Sequence, residues 1–473
     1  MNHFCIKILN GFVPALRLIR LCAMAMLLYF TWHESVHAQH TSADHFVNFQ
    51  SIDDAEKKGL LSRDQAILQK LNTAFRSDSA DPSYIPQTDD QPYIKCMVPL
   101  AAEIEYQSSD LQTETLQQAS LMMQQMSRDT EFSYDSPSGK FRLHYDTTGR
   151  DAVPAAQKLP GAIEEAIPDY IYKAAAAADS SYRYQVQQLG FSDFTEAGTY
   201  DMYFRSFGFY GTTTISGSTT YITIHSTFNG FPENSHPEGN QTGALYATIA
   251  HEIKHAIQYK ANRWRESAGS FNWIEMDATL MEEIVHDDVN DYYNYIKKGF
   301  QSDEPSSSSI FGSPQTPTPG AYYHVSWMLY FAEAYGMEFW KDTWDLISEQ
   351  PLIPFTDAIQ ETLDERGDSF AGAHLQNHLW HLASGQRFSN TDFGFSEREF
   401  YPNPDIRQNL ITIPDSTSGT GLRPLAANYF RAEPMNLTIG HPGIRLHSTA
   451  PGTGVGLIGL FNDGSTKVVS GIN

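Results

Sequence analysis

The sequence predicts an α+β fold, and three observations predict it. Helical periodicity dominates from residue 39 to about 130 and again from about 269 to 385. Between these stretches the apolar period falls to two in three short runs, Phe141–Tyr145, Tyr200–Phe204 and Tyr221–Ser226. Beyond about Asn403 helical spacing vanishes, and short apolar runs such as Ala427–Phe430, Leu437–Ile439 and Val455–Phe461 are parted by Gly, Pro and Thr, which reads as a β-rich C-terminal region. Strands and helices thus come in blocks and do not alternate strictly.

The 473 residues, 41% hydrophobic and 13% aromatic, are enough for two or three packed cores and too apolar for a disordered chain. Lys7, Arg17 and Arg20 precede an apolar run, Leu21 to Trp32, and then Val36-His37-Ala38, a small-residue cleavage pattern. Residues 1–38 therefore read as a secretory signal peptide, with an apolar run too short for a comfortable membrane span. Cys22 follows Ile-Arg-Leu, not a lipobox. Loss of that segment removes three basic residues and one acid, Glu34, and leaves 29 basic against 55 acidic residues. Such a surface repels nucleic acid and anionic membranes, so no nucleic-acid partner and no stable membrane span are expected. Cys5 and Cys22 leave with the signal. The lone remaining thiol, Cys96, excludes an internal disulfide.

The expected organisation is a signal peptide at 1–38, a helical N-terminal region at 39–130, a central domain at 131–402 and the β-rich region at 403–473. In the first region Ser62-Arg63-Asp64-Gln65 matches a capping box ahead of Ile67, Leu68, Leu71, Ala74 and Phe75 at helical spacing. A Pro/Asp/Ser-rich linker follows, Ser77 to Pro92, and then a helix from about Asp110 to Gln125. In the central domain a helix opens at Pro168, carries Ile171, Ala174, Ala178, Tyr182, Val186 and Leu189, and ends at Gly190. The strand Tyr221–Ser226 is a candidate edge for an extended substrate. A Ser/Pro-rich loop, Gln301 to Pro319, interrupts the later helices.

Chemistry concentrates in Ala250-His251-Glu252-Ile253-Lys254-His255. Leu245, Ile249, Ile253 and Ile257 make an apolar stripe, and His251 and His255, four apart, project together from another face. That spacing lets two imidazoles reach one tetrahedral zinc ion at about 2.1 Å without moving the backbone. Glu252, one residue on, reaches the fourth position and can act as general base on a metal-bound water. A third protein ligand is needed. Glu275, on a helix starting near Trp273, is the preferred one, ahead of Asp277, Glu283 and His286. Ala278 and Glu282 share its face, which permits close helix approach and lets Glu282 accept the free N–H of His251.

H-E-x-x-H followed by Glu at this distance resembles the thermolysin-type gluzincins. Glu275…Ala278…Glu282 resembles the E-G-x-A-x-x-x-E helix of zinc aminopeptidases, with Met276 in place of the glycine. The stretch from Phe141 to about Pro402 resembles a family of exported bacterial metalloprotease-like proteins. The residues that carry this are Phe141–Gly149, Ile167-Pro168-Asp169-Tyr170, Ala250–Gln258, Trp273…Glu275…Met281-Glu282 and Asp287–Tyr292. The resemblance implies a zincin-like catalytic domain with Zn2+ as cofactor and a secreted metalloendopeptidase acting on a peptide or protein substrate. An aminopeptidase, another zinc hydrolase, or a non-catalytic surface protein with a vestigial site are the alternatives. Gluzincins steady the oxyanion with a Tyr or His from a later helix. Tyr322 and Tyr323 are the preferred candidates, beside His324. Ile94-Lys95-Cys96-Met97-Val98-Pro99 resembles a degenerate matrixin cysteine switch, which implies that residues 39–130 are a propeptide and that Cys96 blocks the metal. His374, His378 and His381, at i, i+4 and i+7, are read as a packing face, and Asp287–Asp291 as a helix cap with no regular calcium loop.

Overall fold

The computed structural model describes residues 48–76, 79–84, 94–154, 167–195, 198–265, 272–296, 322–386, 391–410, 425–432, 451–461, 463 and 465–472. The signal segment, most of the Ser77–Pro92 linker, the Gln301–Pro319 loop and the Leu437–Ile439 run lie outside these residues. Residues 46–473 form one compact unit, a mixture of helix and mixed sheet. No described helix is long and apolar enough to cross a membrane.

The chain begins with α1 (Gln50–Lys57) and α2 (Arg63–Phe75). The Ser62 hydroxyl accepts from Gln65 N while the Gln65 side chain accepts from Ser62 N, a complete capping box. Two further helices follow, α3 (Val98–Tyr106) and α4 (Thr113–Gln124). Ile52, Ile67, Leu71, Leu100 and Met122 from these helices share an apolar cluster with Phe207 and Phe209, which lie between two strands of the central sheet. The N-terminal helices are therefore packed onto the sheet at that loop.

The sheet has five strands: β1 (Phe132–Asp135), β2 (Phe141–Tyr145), β3 (Tyr200–Arg205), β4 (Gly211–Ser216) and β5 (Thr219–His225). Their spatial order is β1-β2-β3-β5-β4. Strands β2, β3 and β5 run parallel, and β1 and β4 run antiparallel to their neighbours. This corrects one expectation. Tyr221–Ser226 is not an edge, because β5 pairs on both sides, and β4 closes that end of the sheet. Strand β4 reads Gly-Thr-Thr-Thr-Ile-Ser, with no apolar alternation, although Thr212, Thr213 and Thr214 are all buried.

Between β2 and β3 comes α5 (Asp169–Tyr182), continued by a π-helical turn over Arg183–Gln188. The wider turn brings the Gln185 amide to the Ala250 carbonyl at 2.9 Å. After β5 the chain enters α6 (Asn240–Asn262), buried on nearly every face, and then α7 (Asn272–Val285). A short α8 (Tyr293–Ile296) is followed, beyond the undescribed loop, by a 3-10 turn at Tyr322–His324 and α9 (Val325–Tyr335). Three more helices complete this lobe, α10 (Met337–Glu349), α11 (Phe355–Asp364) and α12 (Phe370–Leu382). The main core joins Leu143, Met202 and Ile224 of the sheet to Leu245, Ile249 and Ile253 of α6 and to Trp327 and Trp340 of the lobe. At the C-terminus β6 (Gln408–Leu410) pairs parallel with β7 (Phe430–Ala432), and β8 (Gly454–Leu460) forms an antiparallel hairpin with β9 (Thr466–Ile472). The hairpin rests on α12, where Gln376 donates to Ser470 Oγ at 3.0 Å.

Candidate metal centre

Helices α6 and α7 pack side by side, and Ala278 of α7 is fully buried. One turn of α6 presents His251 and His255, and their Nε2 atoms lie 3.1 Å apart. From α7, Glu275 Oε1 lies 3.1 Å from His255 Nε2 and Glu275 Oε2 lies 3.4 Å from His251 Nε2. Cys96, just ahead of α3, brings its thiol into the same group, all of whose ligand atoms fall within 4.8 Å of one another. All four residues are buried.

These distances fit a metal ion. A tetrahedron with bonds of about 2.1 Å has edges of about 3.4 Å, close to the 3.1–3.4 Å found among the His and Glu donors. Each imidazole is turned by an acceptor on its far nitrogen. His251 Nδ1 lies 2.8 Å from Glu282 Oε1, and His255 Nδ1 lies 2.8 Å from Gln258 Oε1. Nδ1 is thus the donor in both rings, and Nε2 faces the centre. Gln258 is anchored in turn, donating to the Ile274 carbonyl at 3.0 Å and to Asp277 Oδ2 at 2.7 Å. The four residues form a buried group that could hold a metal ion.

Electrostatics agree for the His and Glu donors, whereas burial and the charges of Glu252 and Glu275 raise the Cys96 thiol, so it would join a metal only by giving up its proton. Burial disfavours a charged His251, but hydrogen bonds and charge from Glu275 and Glu282 outweigh it and hold the imidazole at about 10 without a metal. Glu275 suffers burial too, yet the two imidazoles hold its carboxyl below the usual range. A dication takes over the charge that the imidazolium supplies.

Glu252 is fully buried beside this group. Its Oε2 lies 2.8 Å from the Thr213 hydroxyl on β4, while its Oε1 has no hydrogen-bond partner among the described residues. Burial raises its carboxyl pKa. Gly211 makes room for it, since a Cβ there would sit 2.7 Å from Thr248 Cγ2 and 3.0 Å from Glu252 Oε1.

Tyr322 and Tyr323 are placed differently. The Tyr322 hydroxyl donates to Glu275 Oε2 at 2.7 Å and accepts from Cys96 N at 3.3 Å, so it steadies a member of the donor set. Tyr323 is half-buried in the same 3-10 turn. The rivals of Glu275 point elsewhere. Asp277 accepts from Gln258 and Trp344 and pairs with Lys254, whose ammonium lies over Phe191 and Trp344. Glu283 joins Asp287 and Glu397 in a separate acidic group, and His286 packs on Tyr246. The trio on α12 is built into packing: Trp327 Nε1 donates to His374 Nδ1, His378 Nδ1 meets the Tyr429 hydroxyl, and His381 Nε2 meets Ser326.

Sequence reasoning passed over Gln258, Asp277 and Thr213 as supports of the site, and over Lys95. Gln258 carries a local signal, three residues beyond His255 on the same helix. Lys95 carries none, because its partners lie 187 and 196 residues away. No protein-family model matches this chain, and no curated protein matches it. The functional reading therefore rests on the geometry of these residues.

Proposed function

We propose that this chain is an exported zinc endopeptidase with a zincin-like central domain, kept latent by its own N-terminal region. The observation that carries the reading is the fully buried Glu252 carboxylate, one oxygen unpartnered, standing beside the converging His251, His255 and Glu275. A purely structural metal site has no use for such a group.

His251, His255 and Glu275 would hold the zinc, which when bound acidifies a water and polarises a carbonyl. Glu252, raised by burial, is suited to take the proton of the attacking water. As the water oxygen joins the carbonyl carbon and the C–N bond breaks, the same carboxyl passes its proton to the departing nitrogen. Glu282 and Gln258 keep the imidazole Nε2 atoms turned inward, and Tyr322 keeps Glu275 in place.

The Cys96 thiol supports the latent state. Four protein donors make a closed set, whereas a catalytic metal keeps one position open. A closed Cys-His-His-Glu set is also what a structural site would have, and this is the second reading. Metal content and hydrolysis of an unfolded protein substrate separate them, measured on wild type and Glu252→Gln after limited proteolysis of the N-terminal region. The expected result is one zinc per chain in both and hydrolysis lost by about 1,000-fold or more in the variant, within the range for removing a general base. Zinc in both with hydrolysis in neither would establish the structural reading. Undiminished hydrolysis by the variant would remove Glu252 from its role.

A further inference from the structure

Cys96 does not enter the site alone. Lys95, its neighbour, is 2% exposed, and its ammonium lies 2.6 Å from Glu282 Oε2 and 2.6 Å from Asp291 Oδ2. The rings of Tyr210 and Tyr295 flank it, with centroids at 4.9 and 5.0 Å. Tyr210 also donates its hydroxyl to Asp291 Oδ1 at 3.3 Å. The backbone of this stretch is seated on the outer edge of β4. The N–H groups of Tyr210 and Gly211 donate to the Lys95 carbonyl at 2.9 and 3.3 Å, and Cys96 pairs with Gly211 in a parallel bridge. One dipeptide thus lays backbone on the free edge of the sheet, a thiol in the metal group and a cation in an acidic, aromatic cradle.

This is how an extended peptide would be read by such a site, through edge hydrogen bonds and one side-chain pocket. Once the covering segment is withdrawn, the cradle keeps two buried carboxylates and loses its cation. Unpaired buried carboxylates are costly, so the opened cradle favours a new ammonium, and two aromatic faces add to the preference. Glu282 lies 2.8 Å from His251 through its other oxygen, which places the cradle one carboxylate away from the metal group.

We propose that Glu282, Asp291, Tyr210 and Tyr295 form a substrate subsite for the side-chain ammonium of a lysine next to the residue that takes the place of Cys96. This rests on the peptidase reading and adds a substrate class to it. The covering segment then holds the site shut by presenting the recognised side chain at Lys95 together with a thiol where a scissile carbonyl would stand.

Two measurements test it. In the first, the full chain is opened by limited proteolysis and given end-blocked peptides with one internal lysine, the same peptides with that lysine acetylated, and lysine-free peptides with a free amino terminus. The expected result is cleavage at a fixed distance from the lysine, at least tenfold faster than from its acetylated counterpart, with the ratio reduced in Asp291→Asn. Cleavage without regard to lysine would overturn the subsite and leave the peptidase standing. Removal of the first residue from free amino termini alone would assign the cradle to an α-ammonium and overturn the lysine claim. The second measurement needs no hydrolysis. In the intact chain, Lys95→Ala should lower Tm, and n-butylammonium should restore it saturably in Lys95→Ala but not in Lys95→Ala with Asp291→Asn. No rescue overturns the cradle as an ammonium site even if the chain proves to be a peptidase.

Discussion

At the scale of single residues, the closest tolerance in the site is at Gly211. Its missing Cβ leaves room for the Glu252 side chain and for Thr248, and an alanine there would force one of them, or the helix that carries both, to move. Misplacement of a reacting group by about 1 Å can cost about 100-fold in rate. On the proposed function, Gly211→Ala is therefore expected to bind zinc as the wild type does and to lose hydrolysis by about that factor. Equal kcat/KM in wild type and variant, with unchanged zinc content, would show that Glu252 has slack. Local spacing made part of this site readable: a step of four from His251 to His255 is a helix-face signal, and Glu252 follows from it. Glu275 needed a second helix to be placed beside the first, which spacing alone does not dictate. Lys254 is a charged residue inside the motif, and the fold turns its ammonium over Phe191 and Trp344, 3.4 Å from Asp277. The meeting of Lys95 with Asp291 was beyond reach, because nothing local marks a contact made only in the folded chain.

At the scale of elements, β4 shows why one strand is hidden in the sequence, and it bears on the proposed latency. Strands are read from alternation, and β4 has none: its first four residues are all buried, and Gly211 at its start is bridged on the outer edge by Cys96. Strand β5 alternates in character but is bracketed by β3 and β4, so pairing, not pattern, decides that it is interior. The cover on the β4 edge is the Lys95–Cys96 stretch, held by the helices on either side of it through Ile94, Met97 and Leu100 in their apolar cluster. On the proposed function latency would have two parts, a backbone on the edge and a thiol in the donor set. Cys96→Ser removes only the second, since a hydroxyl binds zinc poorly while the helices stay packed. The full-length variant is expected to hydrolyse an unfolded protein about tenfold faster than the full-length wild type, the order of effect of changing one contact at a metal site. Equal latency of the two chains would reduce Cys96 to a buried thiol.

At the scale of the whole molecule, the histidines set a direction for stability against pH. Burial holds His225, His324 and His381 at about 3 and His286 and His378 at about 4, and it holds His374 below the ordinary range as well. All are depressed in the folded state, so the stability they confer is whole above the unfolded value near 6.5 and is lost as pH falls below it. Each such histidine costs about 1.4 kcal/mol per pH unit in that window. Glu283 acts in the opposite sense: burial, Glu397 and Asp287 raise its carboxyl to about 10, so the folded chain gains on it as pH falls toward 4.5; His251 without a metal, raised to about 10 by Glu275 and Glu282, also gains as pH falls, but that gain is already whole below 6.5. One proton on Glu283 does not match several on the histidines, against a total stability of about 5–15 kcal/mol for a folded domain. Loss of net negative charge on approach to pI 5.0 eases self-repulsion, but over a dispersed surface that gain is smaller than charging groups inside the core. Tm is therefore expected to fall steadily from pH 7 to pH 5. The melts belong in excess chelator, because acid also strips a metal from its histidines and would give the same trend for another reason. Under those conditions His378→Gln, which keeps a partner for the Tyr429 hydroxyl, should flatten the slope between pH 6 and pH 5. A Tm that holds level or rises across this range would mean that the buried imidazoles are charged or solvated, and the α12 trio would have to be reconsidered as a site.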